Sequence, residues 1–318
     1  MKRFSNILLV VDTEAESAAA LSRAVALARN NQASLTIVSV VEEMFSEPMS
    51  AALSSELSVT LPGEERSRLD DMIALVAEPD INIEVKALVG KPFIEVIRYV
   101  LRCDHDLVIK NADETQGIGR VLFGSTDMHL MRKCPCPVWI IKATEQPQFG
   151  RILAALDHDP EDAVTDVLNR RILEMSTSLA LSEFNELHIV HAWRSACESF
   201  MKSPRMNPTN VDVDAMVAEE AEEQRSWLKS IVTAHGAKAD KDAIDYLNPC
   251  LHVMNGRAAQ VVPMTARGLG VDLVIMGTVG RSGVAGLFMG NTAEKILAQL
   301  DCSVLAIKPP GFETPVST

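Results

Sequence analysis

Near the end of the chain, Gly277-Thr278-Val279-Gly280 is followed, after nine intervening residues, by Gly290-Asn291-Thr292. An apolar run, Val271-Asp272-Leu273-Val274-Ile275-Met276, precedes this stretch, and an amphipathic segment from Thr292 to Leu300 ends it. The order is strand, glycine loop, helix start. Glycines let the backbone approach a ligand closely. A helix start offers free N–H groups and a partial positive charge. Together they suit an anion, most often a phosphate. A structural alternative stays open, in which Gly277 is a strand-end turn and Asp157 caps the helix after Pro160.

The elements around this loop occur twice. Asp106-Leu107-Val108-Ile109 recurs as Asp272-Leu273-Val274-Ile275, 166 positions on. The register holds from Gly90/Gly256 through Gly124/Gly290, Thr126/Thr292 and Cys136/Cys302 to Lys142/Lys308. The starts match as well, Phe4 to Asp12 with Phe149 to Asp157. This predicts two domains, 1–146 and 147–318, joined across a short polar stretch containing Pro147.

Each half alternates strand and helix. Domain 1 reads as strands near 5–11, 34–41, 81–88, 106–110 and 137–142, with helices near 14–31, 63–78, 91–103 and 124–133. Domain 2 reads as strands near 151–156, 186–193, 244–253, 271–276 and 302–307, with helices near 160–182, 212–235, 256–269 and 291–300. The strands are almost continuously apolar, as for strands covered on both faces. Alternating βαβ units imply an α/β fold: two tandem, doubly wound, Rossmann-like parallel sheets. The segments 45–62 and 195–210 lack periodicity and read as connections over the carboxyl edge of each sheet.

In domain 1 the loop has lost its glycines: Asn111 stands for Gly277 and Glu114 for Gly280. Asp113 and Glu114 put negative charge where phosphates would lie. Gly124-Ser125-Thr126 and Asp12 survive. This half is not expected to bind ATP.

The chain has 43 acidic and 30 basic residues and a formal net charge of −13, which argues against binding nucleic acid or an anionic membrane. No signal peptide or long apolar span is seen, so a cytoplasmic protein with reduced cysteines is expected. Cys134-Pro135-Cys136-Pro137 lacks a second Cys/His pair at zinc spacing. His188, His191 and His252 read as strand residues, Asp157-His158-Asp159 as a turn and cap, and Glu219 to Glu223 as a solvated helix face. No metal site and no catalytic residue are expected.

Met276-Gly277-Thr278-Val279-Gly280-Arg281 with Gly290-Asn291-Thr292 resembles the Gly-x2-Gly-x9-Gly-Ser/Thr signature of the universal stress protein family, and the repeat resembles its tandem type. The resemblance implies strand order 3-2-1-4-5 in each domain, with a ligand crevice where the order reverses. It also implies a site for ATP or a related adenine nucleotide in domain 2. There Asp157 and the backbone of Ala192 would meet the base and ribose. Met276, Gly277, Gly280 and Arg281 would line the ribose and phosphates, and Gly290, Asn291 and Thr292 would hold the phosphates. Asn291 departs from the family's usual Ser or Thr. The resemblance further implies stress survival or resistance to DNA damage without direct DNA contact, and pairing through last strands. Here Val138 to Ile141 and Val304 to Ile307 would pair within one chain, with a homodimer as a further assembly.

Two rivals remain at this point. One is a slow ATPase, although the chain has no Gly-x4-Gly-Lys-Ser/Thr loop. The other is a carrier or sensor of an apolar, lipid-like ligand acting through domain 1.

Overall fold

The computed structural model describes residues 4–11, 18–41, 67, 81–113, 115–117, 120–142, 150–183, 186–195, 213–239, 241–279 and 289–317. The helix expected near 63–78, apart from residue 67, and the connections 45–62 and 196–210 lie outside them. The chain divides into two compact units. The described residues of the first are those up to 142, Met289 and 303–317. Those of the second are 150–279 and 290–302.

In the first unit the elements are β1 (Asn6–Val11), α1 (Ala18–Asn31), β2 (Ser34–Val41), β3 (Ile83–Val89), α2 (Pro92–Cys103) and β4 (Leu107–Asn111). A short hairpin, β5 (Thr115–Gly117) and β6 (Arg120–Leu122), leads to α3 (Ser125–Lys133) and β7 (Val138–Ile141). The sheet runs β3-β2-β1-β4-β7, all parallel. That is the expected order 3-2-1-4-5, reversing between β1 and β4. The hairpin was not foreseen.

The last strand of the chain, Ser303–Ile307, groups with this unit. It pairs antiparallel with β7, with Val304 opposite Ile140, Leu305 opposite Trp139 and Ala306 opposite Val138. The expected pairing of these two segments is therefore present. All four β7 residues are buried, as their unbroken apolar run requires. Lys308, buried just past this strand, donates from Nζ to the Met131 and Arg132 carbonyls at the end of α3. An amine donor there satisfies carbonyls that the helix leaves open, and burial lowers its pKa to about 7.

In the second unit β8 (Arg151–Leu156), α4 (Ala163–Glu183), β9 (Glu186–Trp193) and α5 (Val213–Ala239) are followed by α6 (Lys241–Leu247), β10 (Cys250–Asn255), α7 (Ala258–Leu269), β11 (Leu273–Gly277) and α8 (Asn291–Leu297). The strand Ser303–Ile307 is thus β12. Order is β10-β9-β8-β11, all parallel. The reversal falls between β8 and β11.

The strand expected over 244–253 is corrected. Ile244 to Leu247 is helical, and the strand begins at Cys250. Ile244 packs over Gly236 of α5, where an added Cβ would lie 3.3 Å from it. Tertiary packing decides a short apolar run whose period is ambiguous. β3 and β10, the outer strands of this ordering, keep partly exposed residues along their length, so not every strand is covered on both faces. The last helix ends at Leu297 rather than near 300.

The repeat is visible atom by atom. Gly90 and Gly256 both have positive φ, +131° and +154°. Each donates its N–H to the end of the second strand of its unit, at Val41 and Trp193. A Cβ at Gly256 would also lie 2.9 Å from Val261 Cγ2, so glycine is needed at this turn twice over. Asp106 accepts from the N–H groups of Ser5 and Asn6, and Asp272 from those of Gly150 and Arg151. In both units one carboxylate ties the start of the fourth strand to the start of the first.

Candidate functional site

β8 and β11 end side by side, with Met276 opposite Ala155. β8 and β9 end side by side on the other flank, with Leu156 opposite His191. Asp157, Ala192 and Gly277 therefore meet at the carboxyl ends of three adjacent strands, at the point where strand order reverses. Crevices at such points are where open α/β sheets take ligands.

Asn169 of α4, almost fully buried, clamps the main chain of Asp157. Its Oδ1 accepts from the Asp157 N–H at 3.2 Å and its Nδ2 donates to the Asp157 carbonyl at 2.5 Å. The Asp157 residue itself is exposed, and its Oδ1 accepts from the His158 N–H. Gly290 is the N-cap of α8 and donates its N–H to the Thr278 carbonyl. Asn291 and Thr292 are exposed in the first turn, while Met276 is buried. Gly280 and Arg281 lie outside the described residues.

Gly277 has a packing role the sequence did not reveal. A Cβ there would lie 2.5 Å from Leu168 Cδ2 on α4. The missing side chain lets that helix seat against the end of β11.

Sequence reasoning placed a helix near 212–235 but did not foresee that two of its side chains reach the ends of β8 and β9. Gln224 and Trp227 of α5 reach two histidines at the ends of β8 and β9. Gln224 Oε1 is 3.2 Å from His158 Nδ1 and 3.1 Å from His191 Nε2. His158 stacks on the Trp227 ring at 4.2 Å, and His191 meets it at 4.8 Å. His191 Nδ1 also faces the Leu156 carbonyl at 3.2 Å. Burial lowers the His191 pKa and favours the neutral ring. A neutral ring that donates from Nδ1 to Leu156 has only a lone pair for Gln224. The amide then turns its NH2 toward both histidines. A glutamine 53 positions before Gly277 gives no local signal of this role.

The first unit fills the equivalent place with its own ions. Lys110, at the end of β4 and 2% exposed, pairs with Asp113 and lies 3.2 Å from Asp127 Oδ1. Asp127 is fully buried on α3, and its Oδ2 accepts from the N–H groups of Asp113 and Gly124. The start of α3 is thus capped by a carboxylate from within the unit. The Asp113 side chain packs where a Cβ on Gly124 would stand. This revises the expected reason for lost phosphate chemistry. Asp113 is paired rather than simply repelling a ligand, and Glu114 lies outside the described residues.

At the repeat offset of 166, Lys110, Asp113 and Asp127 become Met276, Val279 and Ala293. One unit holds three charges and the other three apolar side chains.

Desolvation raises the Asp127 pKa to about 6, against the opposing pull of Lys110. A carboxyl group raised above its unfolded value favours folding most at low pH. That contribution is lost as pH rises from about 4 to about 6. Chemical denaturation of the parent and of Asp127→Asn across this range should give a stability difference that changes by about 2–3 kcal/mol, the parent losing ground as pH rises. A constant difference would mean that Asp127 does not titrate there.

Tandem doubly wound α/β units, each with its strand order reversing between the first and fourth strands, define the class. The model of the Universal stress protein family matches residues 3–142 and 148–308, and the chain belongs to that family. It is 29% identical to Universal stress protein E of Salmonella typhi over 99% of this chain and 98% of that one. It is 28% identical to the Universal stress protein E homolog of Haemophilus influenzae, covering 96% and 98%. A putative universal stress protein of Pseudomonas aeruginosa superposes with a TM-score of 0.71 at 23% identity, covering 97% and 94%. One from Archaeoglobus fulgidus gives 0.60 at 16% identity, covering 97% of both chains. At these identities the structural likeness is one of fold. Among the described residues no helix is long and apolar enough to cross a membrane.

Proposed function

We propose that this chain is a stress-response protein whose second domain binds an adenine nucleotide of the ATP kind, and that binding rather than turnover is its task. The observation that carries the reading is the placement of Asp157. Its main chain is clamped by Asn169 and its residue is exposed at the strand-order reversal, beside Ala192 and Gly277. A carboxylate there suits ribose hydroxyls or the amino group of a base. Gly290, Asn291 and Thr292, tied to the end of β11 through the Gly290 N–H to Thr278 carbonyl bond, are the residues proposed to hold the phosphates. Gly280 and Arg281 complete the proposed set.

The ion network of the first unit supports a one-site protein. Asp113 and Asp127 occupy the helix start that a phosphate would need, and Lys110 is committed to them. The domains are proposed as 1–146 and 147–318, and a cytoplasmic location is proposed with them.

Calorimetric titration of the full chain with ATP tests the reading. One site per chain is expected, with affinity reduced about tenfold or more by Asp157→Ala, the scale of a lost charge-assisted hydrogen bond. Unchanged affinity in that variant, or two equal sites, would overturn the assignment. Replacing Gly277 is a poor test, because any side chain there meets Leu168.

A further inference from the structure

At the opposite end of β9 from the crevice, Glu186, His188 and Cys250 converge, each offering a ligand atom within 4.8 Å of the others. Glu186 and His188 are two apart on β9 and share a face. Cys250 is the register partner of His188 on β10. His252, two residues on, lies on the same face.

We infer that Glu186, His188 and Cys250 form a binding site for a divalent transition-metal ion of the zinc class, with His252 as the residue that orients His188. Four observations carry this. His188 is 96% buried, and its Nε2 has no hydrogen-bond partner. That nitrogen lies 3.4 Å from Glu186 Oε1. Two ligands of one tetrahedral zinc, at about 2.0–2.1 Å each, stand roughly 3.3 Å apart, so the spacing matches an edge of the coordination shell. The other ring nitrogen, His188 Nδ1, is 3.0 Å from His252 Nε2. A metal-bound imidazole donates its second N–H to a neighbouring acceptor, and a neutral His252 is one.

The surroundings fit the same ion. Arg151 Nε takes Glu186 Oε2 at 3.0 Å and leaves Oε1 toward the cluster. Glu186 and Cys250 are exposed, so the ion has an entry path and a solvent-filled fourth position. Carboxylate, imidazole and thiolate together favour zinc over magnesium or calcium, which prefer all-oxygen shells. Strand β9 rises about 3.3 Å per residue, so four residues put His188 about 13 Å from Ala192. The site is separate from the proposed nucleotide crevice and does not depend on it.

Cobalt(II) serves as the probe, added to the reduced, chelator-stripped full chain. One equivalent should give a sulfur-to-cobalt charge-transfer band with the intense visible absorption of a four-coordinate ion, and zinc should displace it. Cys250→Ser should abolish the charge-transfer band. His188→Gln should weaken binding about 100-fold or more, and His252→Gln about 10–100-fold with the band retained. Cys250 is exposed, so its serine variant should fold, and circular dichroism checks this. No band at one equivalent, or a full band in Cys250→Ser, would overturn the site.

Discussion

Lys110→Met is expected to destabilise the first unit by about 3–5 kcal/mol, because it strands a buried carboxylate. Asp127 is fully buried and relies on Lys110 for its only ion pair among those described. Methionine fills the volume but supplies no charge. The second unit shows the alternative solution at the same repeat positions. Combining Lys110→Met with Asp113→Val and Asp127→Ala copies the set Met276, Val279 and Ala293. The triple variant should recover to within about 1 kcal/mol of the parent or exceed it, since apolar replacements of buried ion groups are often neutral or stabilising. The Gly124 N–H, which now donates to Asp127, can take the Ala112 carbonyl, as Gly290 takes that of Thr278. Denaturant midpoints of the parent, single and triple variants measure this. A triple variant as unstable as the single would show that the two sets are not interchangeable.

The second large effect concerns a chain ended at residue 146. This fragment has every strand of the first domain's own sequence but lacks β12 and Lys308. β7 would then present Val138, Trp139, Ile140 and Ile141 at a bare edge, and such an apolar edge recruits another strand. The fragment is expected to self-associate at micromolar concentration, by light scattering after gel filtration. A peptide of residues 301–312 added in trans should reduce that association. Trp139 is the only tryptophan before residue 146 and is 1% exposed in the full chain, so its emission reports edge closure. A monomeric fragment with a buried Trp139 would show that β12 is dispensable to the unit.

The sequence carried what is local or repeated. The offset between Asp106 and Asp272 exposed the two units, and Gly90 with Gly256 marked the same positive-φ turn in each. Continuous apolar runs located the central strands, and their alternation with helices led to the sheet order. Contacts between distant residues were not legible. Nothing near Gly277 signals Leu168, 109 positions earlier. Lys110 and Asp127 read as unrelated charges until α3 folds back over the end of β4. His188 looked like one more strand residue because its partners Cys250 and His252 arrive on another strand. Ile244 was misread since the short mixed segment Ala243-Ile244-Asp245-Tyr246-Leu247 suits either a strand or a helix turn.

The placement of β12 also has a consequence in time. A ribosome releases β7 long before it reaches Ile307, 166 residues later. At about 5–20 residues per second, the interval is roughly 8–33 s. Throughout it the first unit can assemble its parallel core but not close its last edge. Each nascent chain therefore offers a neighbour on the same polysome an unpaired strand until β12 arrives.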